Sequence, residues 1–176
     1  MYGIVNVPGI TVAEDVLTDM FGGSLPDSVL ANNSPETIQR AAILGVGANF
    51  WSVGDMTAPI KLNGKVGALT FSNQSYSAFI LGFNHNPGIE GGDHFGFGKA
   101  SATKDIAFVD SGSDTDGFKM NLENVNAGGW GSSYMRKTIC PAFYNALPQE
   151  WKNVISSCTK YVQFTRKSEF IVVSVP

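Results

Sequence analysis

Two histidines and two carboxylates, His85, Glu90, Asp93 and His94, fall within one short stretch, and residues of these types can ligate a metal or move protons. Their spacing is neither that of an HExxH helix nor that of two histidines one helical turn apart, so no standard metal site is expected. No other histidine exists in the chain, which narrows any imidazole-based mechanism. The expected role of His85 and Glu90 is to pin a glycine-rich loop through backbone hydrogen bonds. A second acidic run, aligned on Gly117, puts Asp114, Asp116 and Glu123 at the third, fifth and twelfth positions of a calcium loop. The first ligand position is Gly112 and the eighth, normally apolar, is Lys119, so an ordinary acidic turn is expected.

Nucleophilic and phosphate-binding chemistry fare no better. Ser132 and Ser133 follow Gly128-Gly129-Trp130-Gly131, but no glycine closes a G-x-S-x-G elbow, and a helix N-cap is expected instead. Gly45-Val46-Gly47 lacks the third glycine of a dinucleotide fingerprint, and no P-loop occurs. Cys140 and Cys158 have no CxxC spacing and read as two buried small hydrophobes, with a disulfide as the alternative. No catalytic set, cofactor or metal is therefore expected. Flat aromatic faces remain: Trp130, Tyr134 and Trp51 are candidates for stacking on a sugar or a surface ligand. Such residues also serve as core, and Trp130, flanked by glycines that thin the packing, is the strongest surface candidate.

The elements that would position these residues can be read from periodicity. Thr11 and Glu14 make a capping-box pair before Ala13, Val16, Leu17, Met20 and Phe21, an apolar helix face ended by Gly22-Gly23. A polar linker to Asn33 follows. Ser34-Pro35-Glu36 opens a second helix that should bury Ile38, Ala41 and Ala42 and stop near Gly45. Asn63-Gly64 predicts a hairpin between strands at 60–62 and 65–71. Tyr76 to Phe83 reads as a central strand, Asp105 to Val109 and Phe170 to Val175 as further strands. A helix capped by Ser132 or Ser133 should be interrupted at Pro141, and Pro148 should open one with Trp151, Val154, Ile155 and Cys158 on one face. Helix and strand periods alternate without βαβ order. The predicted class is α+β: a single β-rich domain with short helices packed on a mostly antiparallel sheet.

Composition bounds the partners. Hydrophobic residues are 43% of the 176 and charged ones 15%, against roughly 25% charged in ordinary soluble domains. So sparse a charge suggests that part of the surface is covered by a partner. The formal charge is −3 with no basic cluster, which argues against nucleic acid. No apolar run is long enough to span a bilayer, so no membrane insertion is expected. Met1 to Asn6 has no basic stretch leading into an apolar one, so no secretory signal is expected, and exit would be by lysis or within a particle.

Several of these segments, in order, carry a resemblance. Phe50-Trp51-Ser52-Val53-Gly54-Asp55, Gly82-Phe83-Asn84-His85-Asn86, Glu90-Gly91, Gly128-Gly129-Trp130 and Ser133-Tyr134-Met135-Arg136 resemble a domain-of-unknown-function family of Firmicutes phages and prophages, with VGD, GFNHN and GGWxxSxMR motifs. The likeness covers about residues 34–161 and implies a phage setting more than a chemistry. Longer relatives in that family continue with a Trp- and Gly-rich half after the positions matching Lys160-Tyr161, which this chain lacks. Taken with the sparse charge, the lack of a secretory signal and the absence of a catalytic set, the resemblance leads to the expectation of a bacteriophage virion component: a capsid-decorating, fibre or tail-associated protein that is not an enzyme. It would be located in the virion and partnered by other virion subunits as a homo-oligomer. The alternative is a lectin-like module binding carbohydrate on a host-cell surface. Residues 1–33 are expected to form an assembly segment packed on a partner, and 34–176 the globular domain. In that domain Trp130 should anchor its helix on the sheet around 76–83. Gly128 and Gly129 would supply the backbone freedom, and Arg136 would pair with Asp55 or Asp110.

Overall fold

Ser34 and Pro35 begin the longest regular helix among the described residues, α2 (Pro35–Ile43). The Ser34 hydroxyl accepts the Thr37 N–H at 3.2 Å, and Pro35 occupies the first turn, where its missing N–H costs nothing. Ile38, Ala41 and Ala42 are buried as predicted, and Gly45, at φ 69°, takes the left-handed conformation that ends the helix. The computed structural model describes residues 4–7, 10–84, 87–90, 95–100, 120–123, 125, 127–163 and 170–175. The predicted strand at 105–109 and the acidic turn at 110–117 lie outside them.

These residues form an α+β fold in which every strand pairing is antiparallel. They group into two compact units, one from 1–59 and 77–100, the other from 60–76 and 101–176. In the first unit, β1 (Ile4–Val7) and β2 (Ile10–Ala13) form a ribbon, and α1 (Glu14–Met20) follows directly. Thr11 and Ala13 thus lie in a strand, not in the helix cap and face expected of them, and the helix starts at Glu14. Glu14 and Asp15 occupy its first turn, where carboxylates complement the helix dipole.

The boundary expected after Asn33 does not coincide with this division. Leu17 of α1 is buried, the Phe21 ring meets Phe50 edge-on at 6.1 Å, and the Arg40 guanidinium donates to the Met20 carbonyl at 2.6 Å. Residues 14–33 are therefore built into the same unit as 34–59, with Val16 and Met20 of the apolar helix face exposed.

The long strand β4 (Leu69–Phe83) contributes to both units. Its second half pairs with β5 (Phe95–Ala100) on one edge, through Phe79↔Gly98, Ile80↔Phe97 and Phe83↔Phe95. On its other edge Met56 bridges Phe79, so β4 is central there, as predicted. The two faces differ from the expected double burial: Ile80 is buried while Leu81, at the register shift, is exposed.

Its first half pairs with β3 (Ile60–Val66). Asn63-Gly64 does not turn the chain here. The turn falls at Gly67-Ala68, where Gly67 has φ 58°, and Asn63 lies opposite a bulge formed by Ser72 and Asn73. Asn73, at φ 51°, donates its N–H to the Asn63 side-chain oxygen at 2.9 Å, so the dipeptide clasps an irregularity instead of reversing the strand.

Helices pack on this ribbon. A four-residue turn of helix, α4 (Gly129–Ser132), is followed by a π-helical stretch at Met135–Ile139 that runs into α5 (Cys140–Ala146). Pro141 was expected to break the helix. Instead it sits at the start of α5, and the wider π turn before it accommodates a residue with no N–H to give. α5 packs on β3, with Ala146 beside Gly64, and Ala146, Ile60, Leu62 and Val66 are all buried. Short α6 (Gln149–Val154) ends at Ile155, and Cys158 starts β6 (Cys158–Gln163) in place of extending the helical face. The predicted C-terminal strand is β7 (Phe170–Val175), paired with β6.

Candidate functional site

The sequence candidates divide between the two units. In the first, Trp51 follows a short 3-10 turn at Gly47–Asn49 and is 3% exposed. Its indole N–H donates to the Asp27 carbonyl at 2.9 Å, its ring meets Phe95 edge-on at 6.3 Å, and Phe50 lies at 6.0 Å. Phe95 is also edge-on to Phe83 at 5.0 Å. A methyl group at Gly47 would fall 2.1 Å from the Phe95 ring, so glycine is what lets the backbone meet that ring face. Trp51 is therefore a core residue and offers no face to a ligand, which corrects its place among the surface-binding candidates. An indole has one polar atom, and once that atom is satisfied internally the rest of the side chain gains by burial.

Asp55 closes the turn after Trp51. Its carboxylate accepts the Ser52 N–H at 2.8 Å, and Gly54 at φ 98° allows the reversal. Reciprocal backbone bonds, Gly54 N–H to Ile80 carbonyl at 2.8 Å and Ile80 N–H to Asp55 carbonyl at 3.0 Å, tie the turn to β4. The Val-Gly-Asp motif thus acts as a strand-edge clamp, and its carboxylate is engaged locally. Asp110, the other carboxylate expected for Arg136, is outside the described residues, as are His85, Asp93 and His94. Glu90 ends the short helix α3 (Pro87–Glu90).

In the second unit, Gly128 and Gly129 have φ of 78° and 56° and lead the chain into α4. A side chain at Gly128 would meet the Ser132 hydroxyl at 2.4 Å, which explains glycine at that position. Trp130 and Tyr134 are half-buried. Between them Ser133, 1% exposed, does the capping: its hydroxyl donates to the Trp130 carbonyl at 2.8 Å and accepts the Arg136 N–H at 3.1 Å. Arg136 lies in the π-helical stretch, one turn before Cys140. Cys140 is a free thiol, and burial pushes its pKa up while the Arg136 charge opposes that shift.

Two polar knots carry no signal in residue type alone. Asp27 accepts from the Val29 N–H at 2.7 Å and the Asn32 amide at 3.1 Å, which holds its carboxyl below the usual range. Asn33 bridges the same loop, donating to the Asp27 and Val29 carbonyls at 2.9 Å. Asn121 accepts the Tyr134 N–H at 3.2 Å and donates to the Val125 carbonyl at 2.7 Å. Among the described residues no three His, Cys, Asp or Glu side chains come together as a metal site would need. No described helix is long and apolar enough to cross a membrane. No family model, curated protein or solved structure matches the chain.

Proposed function

We propose that the protein is a structural component of a bacteriophage particle, acting by assembly through its surface and not by catalysis. The observation that supports this most is the outer face of the sheet in the first unit. Met56, Phe79 and Gly98 form one row across three backbone segments, and the Phe79 ring lies over Gly98. Leu81 shares that face with Gly96 and is 56% exposed, and Val53, before the clamp, is 62% exposed. Glycines at two of the facing positions leave a flat surface, and exposed apolar groups on a flat face gain most from a second protein surface. The motif groups nearby, Trp51 and Asp55, are spent on holding this face in shape.

Light scattering of the purified chain across a wide concentration range tests the reading. Assembly predicts a mass that is a multiple of 18.8 kDa and a shift to monomer in Leu81→Lys/Val53→Lys. A wild-type monomer at every concentration contradicts it.

A further inference from the structure

The other half of the sheet presents a face of opposite character. Along β3, Ile60, Leu62 and Val66 point to α5 and are buried, so the alternation of a strand turns Lys61, Asn63 and Lys65 outward. Each faces a polar partner on β4. Lys61 is opposite Ser75 and donates to its hydroxyl, Asn63 is clasped to Asn73, and Lys65 is opposite Thr70. Lys61, Asn63, Lys65, Thr70 and Asn73 are exposed. Residues 60–76 contain two lysines and no acid in a chain of net charge −3, so the charges this ribbon itself carries are all positive. Lys61 and Lys65 are separated by four strand residues, about 13 Å at the usual rise.

From this we infer that the outer face of the β3–β4 ribbon binds an anionic polysaccharide bearing carboxylate groups. Two ammonium groups spaced along one strand match a chain with repeated negative charge, and charge complementarity of this kind steers a polyanion to the face. Between the charges, the amides of Asn63 and Asn73 and the hydroxyls of Thr70 and Ser75 both donate and accept, as sugar hydroxyls require. The bulge holds Asn63 and Asn73 in one arrangement, so little side-chain freedom is lost on binding. The inference stands apart from the assembly reading, since it concerns the other unit and a soluble ligand.

Titration calorimetry of the full chain with polygalacturonate at low ionic strength tests it, with neutral dextran and a polyphosphate as the other arms. Binding to polygalacturonate is expected, largely lost at about 0.5 M salt, where the screening length is only a few ångströms. Lys61→Ala/Lys65→Ala should weaken it by about tenfold, while Lys61→Arg/Lys65→Arg retains it and circular dichroism shows both variants folded. Dextran bound as tightly as polygalacturonate, binding confined to polyphosphate, or an alanine variant that binds like the wild type overturns the inference. So does an absence of polygalacturonate binding, whatever the oligomeric state.

Discussion

Replacing Trp51 by alanine removes a side chain that is 3% exposed, with aromatic neighbours at 6.0 and 6.3 Å and one hydrogen bond at 2.9 Å. Loss of a buried large aromatic costs about 3–5 kcal/mol through lost transfer energy and the cavity left behind. The hydrogen bond adds little beyond this. Its acceptor, the Asp27 carbonyl, also receives the Asn33 amide at 2.9 Å, so it is not left unsatisfied when the indole goes. The net value of that bond is therefore about 1 kcal/mol. Trp51→Phe, which keeps a ring between Phe50 and Phe95, should cost about 1–2 kcal/mol by the same reasoning. Urea unfolding followed by circular dichroism reads both values as shifts of the midpoint at constant slope. A Trp51→Ala midpoint close to wild type would refute the core role, and equal losses for Phe and Ala would refute the division between ring packing and hydrogen bond.

Further expectations can be checked in the same assay. Ser34→Ala removes the hydroxyl that caps α2 and should cost about 1 kcal/mol, whereas Ser34→Asp, which keeps an acceptor there, should be near neutral. Gly47→Ala should destabilise despite its small size, because the new methyl overlaps the Phe95 ring, and shortening Phe95 to leucine in the same chain should recover part of the loss. The Asp27 carboxyl is held below its ordinary pKa by the Val29 N–H and the Asn32 amide. Its contribution to stability is thus present above the unfolded pKa and lost as pH falls through the lower folded value. Asp27→Asn should flatten that acid limb of the stability–pH curve. For Cys140 the sign is reversed. Burial raises the thiol pKa, so its contribution is present below the unfolded value and lost as pH rises through the folded one. Its alkylation should accordingly be slower at mildly alkaline pH in the folded chain than in urea.

The parts of the fold visible in the sequence are those decided within a few residues. The cap, first-turn proline and buried face of α2 are local, as are the β-branched content of β7 and the apolar run that becomes the second half of β4. What was not visible depended on partners far along the chain. Asn63-Gly64 has the composition of a hairpin turn, but Gly67 lies three residues on, and the pairing of Lys65 with Thr70 and Val66 with Leu69 puts the reversal there. Asn63 is then free to clasp Asn73, which no local rule anticipates. Thr11 fits a capping box by type and spacing, yet pairing with Asn6 draws it into a strand. Of the site candidates, the role of Ser133 as a cap was legible, because capping is local. The burial of Trp51 was not, because it depends on a carbonyl at Asp27 and a ring at Phe95. Asp27, Asn33 and Asn121 act through backbone groups, which residue type does not distinguish.

The central claim, assembly into a phage particle, is tested most directly by density-gradient banding of particles from lysed producing cells, with quantitative mass spectrometry across the gradient. The account predicts this chain in the particle band at a fixed ratio to the major capsid protein, and a Leu81→Lys/Val53→Lys variant displaced from it. A chain confined to the particle-free fraction would contradict the account.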